Sequence, residues 1–337
     1  MLAVAVYTRM TIPRTMRALS QTSLDGPEGL RLVDMPVPTS RRGEVLIRVA
    51  AAGVNYVDLA RGRGTFGHNP QPPFVAGFEA AGEVVQLGEG VTSLPLGMHV
   101  IAAGPGAFAE YVAVPAAAAM PIPPGWTAEQ ALGLVVQWPT ALAVLELGRL
   151  SADETVLIHA AAGATGQAVV QLAKHRGARV IATASPTKHA SVRAARADHV
   201  LDARDPQLAA AVLELTAGRG ADLVLESMGG EGFRASLAAA KRVTGRVVVF
   251  GLSGGDAMLR NWELVYEHPV QIIGFNLGTL IQVAPQLFGR LMGEMAGLIG
   301  SGIIAPGRPS TYTLAQGPNA LRDLEGRATV GKLALIP

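Results

Sequence analysis

The stretch Val156-Leu157-Ile158-His159-Ala160-Ala161-Ala162-Gly163-Ala164-Thr165-Gly166, continued by Gln167 to Arg176, decides the fold. A short, partly β-branched apolar run leads into a glycine turn, and Val169, Leu172 and Ala173 then follow helical spacing up to a glycine stop at Gly177. The pattern predicts strand, turn and helix, the first half of a βαβ unit. In such a unit the turn lets a pyrophosphate approach the backbone, and the helix N-terminus offers unpaired N–H groups and partial positive charge. Ala161-x-Gly163-x-x-Gly166 has alanine where the G-x-G-x-x-G pattern begins with glycine, so its weight comes from context. Ala162, Gly163, Ala164, Thr165 and Gly166 are the expected phosphate-binding residues.

The context has the right rhythm. Apolar runs at 179–183, 199–201, 222–225, 246–250 and 270–274 alternate with helix-length segments such as 208–215 and 233–240, punctuated by Gly177, Gly218 and Gly245. With 156–158 these make six parallel strands, a doubly wound α/β sheet.

A carboxylate at the end of the second strand accepts hydrogen bonds from a ribose diol and repels a 2'-phosphate. Between Gly166 and Asp198 there is no Asp or Glu, whereas Thr183, Ser185, Lys188, His189 and Arg193 supply donors and positive charge. The segment therefore reads as an NADPH site, with Thr183, Ser185 and Lys188 as cofactor residues. The plainer reading, that Lys188 and Arg193 form a solvated helix face, leaves the missing acid unexplained.

At 337 residues the chain is long for one core and comfortable for two. Hydrophobic residues make up 49% of it, yet no run approaches the roughly 20 apolar residues that span a bilayer. The net charge is +2 and the basic residues are scattered, so no nucleic-acid surface is indicated. Zero cysteines exclude disulfides, thiolate catalysis and cysteine-ligated zinc together. The opening block Leu2-Ala3-Val4-Ala5-Val6 is short for a signal peptide and has no basic region before it. Residues 1–15 are expected to be a disordered extension, and the protein to be cytoplasmic.

From Met16 to about Gln130 the texture changes to glycine, proline and short alternating runs, which reads as a compact β domain with strands at 44–52, 82–87, 98–102 and 107–114. Pro121-Ile122-Pro123-Pro124 marks its boundary.

At this point the chain resembles a family, from Met16 to Pro337. Gly53-Val54-Asn55-Tyr56-Val57-Asp58, Gly77-Phe78-Glu79-Ala80-Ala81-Gly82, Ala107-Phe108-Ala109-Glu110-Tyr111, His159 to Gly163, Ala197-Asp198-His199-Val200-Leu201-Asp202 and Gly326-Arg327-Ala328-Thr329-Val330-Gly331-Lys332 look like the zinc-free quinone oxidoreductases, the zeta-crystallin-like branch of the medium-chain dehydrogenase/reductases. One position departs: relatives have glycine before the Ala197-Asp198 piece, where this chain has Arg196.

The resemblance implies a Rossmann NADPH-binding domain at 131–272 and a GroES-like β-rich catalytic domain formed by 16–130 and 273–337. It places the active site in the cleft between the domains. Relatives pair through the last strand of the nucleotide sheet, which implies a homodimer through 270–274.

Zinc-dependent relatives carry a cysteine and a Gly-His-Glu motif; here there is no cysteine, and Phe78 stands where the histidine would be. With no metal to polarise a carbonyl, the substrate must bring its own electrophilicity. The resemblance thus implies hydride transfer from NADPH to a quinone or other α,β-unsaturated carbonyl, a small-molecule partner. Asn55 and Tyr56 are the candidate catalytic residues, Asn55 orienting ribose or substrate oxygen and Tyr56 walling the site or donating a hydrogen bond. For Asn55, the plainer reading is a loop side chain bonded to its own backbone. Asp58 reads as structural. Phe66, Trp138 and Leu277 are expected to line the substrate pocket, with Phe66 where many relatives place a tyrosine. Gln137, Thr140, Phe250, Gly251, Leu252, Phe275, Arg327 and Lys332 complete the cofactor set. His159 reads as a satisfied structural group. An enoyl-thioester or polyketide-type enone reductase, and a non-catalytic NADPH-binding structural or sensor protein, are the alternatives.

Overall fold

A computed structural model describes residues 11–67 and 70–337. In chain order it runs through strands β1 (Thr15–Gln21), β2 (Leu30–Pro36) and β3 (Glu44–Val54), helix α1 (Tyr56–Gly62), strands β4 (Phe74–Val75), β5 (Glu79–Leu87), β6 (His99–Ala103), β7 (Tyr111–Pro115) and β8 (Ala119–Pro121), and helix α2 (Ala128–Ala131). Next come α3 (Gln137–Leu147), β9 (Thr155–Ile158), α4 (Ala164–His175), β10 (Arg179–Ala184), α5 (His189–Ala194), β11 (His199–Asp202) and α6 (Leu208–Leu215). They lead to β12 (Leu223–Glu226), α7 (Phe233–Ala239), β13 (Arg246–Val249), β14 (Gln271–Gly274), α8 (Leu277–Val283) and α9 (Pro285–Gly300). The chain closes with β15 (Ser310–Thr313), α10 (Gly317–Glu325) and β16 (Leu333–Ile336).

Among the described residues these elements form two compact units, one of residues 11–67, 70–135, 306–328 and 332–337, the other of 136–305 and 329–331. The chain rejoins the β-rich unit at Pro306, later than the 273 expected from the sequence. Helices α8 and α9 stay with the nucleotide unit because the apolar side chains of Leu280, Leu291, Met295 and Leu298 are buried there, where both helices pack on α3. Residues 1–10, within the expected extension, lie outside the described residues; Thr15, its last residue, already pairs with Pro36 in the β1–β2 ladder.

In the β-rich unit, β3 is the spine. Its alternating Val45, Ile47 and Val49 turn inward, and it pairs antiparallel with β5, β7 and β16. The core gathers Leu19, Val45, Ile47, Val84, Val100, Phe108, Leu333 and Leu335 around this spine. Gly82 faces β3 where a Cβ would overlap the Arg48 carbonyl, so only glycine permits that close pairing.

In the nucleotide unit, among the described residues, six parallel strands lie in the order β11-β10-β9-β12-β13-β14. The middles of the strands Thr155-Val156-Leu157-Ile158, Arg179 to Ala184 and Leu223 to Glu226 are apolar on both faces, as expected where helices cover a parallel sheet from both sides, and Thr183 and Glu226 put polar groups near the carboxyl ends. On one face Leu157, Ile181, Val224 and Val247 meet Leu208, Val212, Phe233 and Leu237 from α6 and α7. The order reverses between β9 and β12, and ligands of such sheets bind outside the carboxyl ends of the strands at that switch. Among the described residues no helix is long and apolar enough to cross a membrane.

Arg196, where the resemblance implies a glycine, adopts φ 75° and is exposed between α5 and β11. An L-residue pays about 1 kcal/mol for this left-handed conformation. Arg196→Gly should therefore be neutral or stabilising by up to about 1 kcal/mol despite the added unfolded-state entropy, measured as an unchanged or raised urea midpoint.

Candidate functional site

The phosphate turn is built by steric permission. Ala160 takes φ 50° after β9, and α4 begins at Ala164 with Gly163 as its N-cap and no capping side chain. At Gly166 a Cβ would overlap the Ala160 carbonyl, so glycine lets α4 start hard against β9. At Gly163 a Cβ would meet only the Ala160 oxygen, at 3.3 Å, leaving the rest of its surroundings open. An uncapped N-terminus of a 12-residue helix beside a bare backbone fits an anionic group such as a pyrophosphate.

The segment Thr329–Gly331 clasps this turn. Gly331 N–H donates to Ala162 O at 2.8 Å, Gln167 Nε2 donates to the same oxygen at 3.2 Å, and Lys188 Nζ donates to Thr329 O at 2.7 Å. Lys188 thereby stands just past the end of β10, in the turn Pro186–Lys188 that Ser185 opens. Phe250 and Gly251 follow β13, half-buried, with Leu252 exposed; Phe275 follows β14 and Leu277 opens α8. Gln137 is buried at the start of α3, with Trp138 and Thr140 half-buried in its first turn.

Two sequence expectations need correction. Thr183 is fully buried, and its hydroxyl lies 3.1 Å from His159 Nδ1, so it is spent inside the sheet rather than offered to a cofactor. Lys332 sits in the β-rich unit, where its ammonium donates to Glu79 Oε2 at 2.5 Å, Asn55 Oδ1 at 2.7 Å and Val54 O at 3.3 Å. A buried carboxylate draws the ammonium in because neither charge is tolerable there alone.

Glu79, which the sequence reading passed over as a chemical group, is the centre of that cluster. It is completely buried and also accepts from Gly133 N–H and from Asn55 Nδ2, the latter at 3.1 Å. Asn55 donates a second hydrogen bond to Gly53 O at 3.0 Å and caps α1, so its amide is a structural connector. Asp58 accepts from Asn55 N–H at 2.8 Å, and burial pushes its carboxyl up to about 7. Gly53 is required because a Cβ there would overlap Glu79. Of the two catalytic candidates, Tyr56 is the one whose side chain reaches out, at 41% exposure, its phenol raised by partial burial. Phe66 is 39% exposed after α1; residues 68 and 69 beyond it lie outside the described residues. Arg327 is exposed at the end of α10, with φ 53°. Among the described residues no group of three or more His, Asp or Glu side chains is arranged to hold a metal.

A second buried carboxylate, Glu226 at the end of β12, was also missed. Its Oε1 accepts from Met228 N–H at 2.6 Å and Gly229 N–H at 3.0 Å, and its Oε2 from Ser236 Oγ. Ser236 lies 3.0 Å from His159 Nε2, and burial lowers the imidazole's basicity.

Residues 41–124 match the alcohol dehydrogenase GroES-like domain and residues 164–293 the zinc-binding dehydrogenase domain. A mycobacterial protein solved with NADPH is 33% identical, with a TM-score of 0.89 over 96% of this chain and 100% of that one. Escherichia coli quinone oxidoreductase, also solved with NADPH, is 29% identical, with a TM-score of 0.86 over 95% of this chain and 100% of that one. The synaptic vesicle membrane protein VAT-1 homolog of Rattus norvegicus is 30% identical, over 96% of this chain and 84% of its own length. With both domains present in order and the two similar solved structures matched over their whole length, the chain belongs to the medium-chain dehydrogenase/reductases, in their zinc-free quinone oxidoreductase branch.

Proposed function

We propose that the protein is an NADPH-dependent reductase of quinones or other α,β-unsaturated carbonyls. The observation that carries this reading is the bare glycine turn at the start of α4, joined past the end of β10 by Lys188 and by no carboxylate between Gly166 and Asp198. The NADPH complexes of the similar structures support it. Bound nicotinamide would supply a hydride, and the chain does the rest.

In this reading Ala162 to Gly166 hold the pyrophosphate through backbone N–H groups. Ser185 and Lys188 take the 2'-phosphate, Lys188 being held in place by Thr329 O. Gln137, Thr140, Phe250, Gly251, Leu252 and Phe275 orient the nicotinamide and ribose, with Trp138 and Leu277 as substrate-contacting residues of the same unit. In the catalytic, β-rich unit Tyr56 donates a hydrogen bond to the substrate oxygen as charge develops on it, Phe66 provides an apolar wall, and Asn55 anchors α1 beneath Tyr56. The matched zinc-binding domain is named for relatives that hold the metal, but a chain without cysteine, and with Phe78 in place of histidine, lacks their donor set. One phenolic donor supplies on the order of 10²-fold, enough for a conjugated acceptor and far short of what an unactivated ketone needs.

The exposed β14 edge, with Gln271, Ile272 and Gly274 open to solvent, is proposed to pair with a second copy. Light scattering should then report twice the 34.9 kDa chain mass, and Ile272→Lys should return it towards the monomer.

For the cofactor, steady-state kinetics should favour NADPH over NADH, and Lys188→Ala should raise the KM for NADPH at least about tenfold while leaving that for NADH within twofold. Equal use of both cofactors by the wild type would contradict the assignment.

For the substrate, NADPH oxidation across a panel of quinones, enones and enoyl thioesters should find turnover that persists in excess chelator, with little oxidation of simple alcohols. Tyr56→Phe should lower kcat by roughly 10²-fold with the KM for NADPH unchanged. Turnover confined to enoyl thioesters would favour the enoyl reductase reading, and silence across the panel despite tight NADPH binding would favour a structural or sensor role.

A further inference from the structure

The parallel ladders put three polar residues in one row. Ala182 pairs with Ile158 and Leu225 with Ile158, so the next residues, Thr183, His159 and Glu226, are neighbours across β10, β9 and β12. They continue the face whose preceding row, Ile181, Leu157 and Val224, is apolar core under α6 and α7. All three are buried, and Ser236 of α7, itself fully buried, sits over them. The row lies under the point where strand order reverses.

Hydrogen-bond chemistry gives the row a direction. A carboxylate only accepts, so the single proton of Ser236 goes to Glu226 Oε2. The serine oxygen is then the acceptor for His159, which requires the proton on Nε2, 3.0 Å away. Nδ1 is left as an acceptor, and Thr183, 3.1 Å away, donates to it. The order is Thr183 O–H to His159 Nδ1, His159 Nε2–H to Ser236 Oγ, and Ser236 O–H to Glu226.

The far end of the relay holds two loops. Glu226 Oε1 gathers the N–H groups of Met228 and Gly229, at 2.6 and 3.0 Å. That loop in turn binds the loop after β13: Ser227 O accepts from Ser253 N–H and Oγ, both at 3.2 Å, Met228 O accepts from Gly254 N–H, and Gly230 N–H donates to Gly255 O at 2.9 Å. Gly229 and Gly230 have φ 67° and 60°, and a Cβ on either would overlap a carbonyl of Gly254 or Gly255. At the near end, Thr183 O accepts from Ala161 N–H at 3.0 Å, inside the phosphate turn.

We infer that Glu226 is a positioning residue for the dinucleotide site: through Ser236 and His159 it orients a one-way hydrogen-bond relay, and through Met228 and Gly229 it sets the loops after β12 and β13 against the phosphate turn. The inference rests on the NADPH reading for the identity of the ligand; the relay's proton placement does not.

The row forces a choice on Glu226→Gln. If the new amide keeps its oxygen towards Met228 and Gly229, its NH2 donates to Ser236, the serine proton turns to His159 Nε2, and the imidazole proton moves to Nδ1. If the amide is reversed, its NH2 faces two backbone N–H groups and the loop is released.

The test is nitrogen-15 NMR of the imidazole, with calorimetry of NADPH binding and amide shifts for residues 228, 229, 253 and 254. The wild type should show His159 protonated on Nε2. Glu226→Gln should either move the proton to Nδ1 or shift those loop amides, and weaken NADPH about tenfold. Ser236→Ala, which cuts the relay between imidazole and carboxylate, should weaken NADPH similarly, and the double variant no more than the larger single effect, since both act on one network.

A wild-type imidazole protonated on Nδ1 would overturn the relay without any variant being made. Glu226→Gln binding NADPH within about twofold of wild type, with loop amides unmoved, would overturn the positioning role. A wild type that binds no NADPH would refute the cofactor reading, and the tautomer and loop shifts would still decide the relay.

Discussion

Polar groups buried in a parallel sheet have to satisfy one another, and the carboxyl edge of this sheet is organised by that requirement. Thr183, His159 and Glu226 lie buried at the ends of three adjacent strands, so each needs a partner within the protein. They find one another, Ser236, and the backbone of the loop after β12. The glycine turn and the loops that would meet a dinucleotide are thus extensions of one buried network. An apolar row at the same place would leave the Met228 and Gly229 amides without their acceptor and would leave the loop after β12, with its two positive-φ glycines, held only by the loop after β13.

The β-rich unit solves a similar problem with charge. Glu79 is buried opposite Gly53 and is neutralised by Lys332 from the far end of the chain, with Asn55 and the Gly133 amide filling its remaining acceptor sites. Removing either ion would strand the other in a low dielectric, typically about 3–5 kcal/mol. This ties the terminal strand β16 to β3 and to the start of α1, which carries Tyr56 outward. In both units a buried carboxylate with backbone donors anchors the elements that carry the proposed chemistry.

Much of the fold was legible in the sequence because the parallel strands are short apolar runs with glycines between them, and each of the six runs overlaps a strand of the nucleotide sheet. The helices at 208–215 and near 233–239 follow from the same alternation. The strands of residues 15–21 and 30–36 escaped notice because their half-exposed ladder mixes charge into the pattern, as in Arg31-Leu32-Val33-Asp34. The return of the chain to the β-rich unit at Pro306 was equally hidden, since it depends on which core buries α8 and α9.

The sequence by itself determined the class of the molecule and its ligand chemistry: the glycine turn, the acid-free end of the second strand, the absence of cysteine and Phe78 are local facts that no packing can alter. Tertiary structure alone decided which polar residues face each other. Thr183 and Lys332 read as cofactor donors along the chain, yet strand register sets one against His159 and the other against Glu79. Glu226 and Ser236 are ten residues apart on a strand and a helix, and nothing in their spacing announces a shared hydrogen bond. Register and helix docking bring them together, because a buried carboxylate is stable only where several donors converge on it.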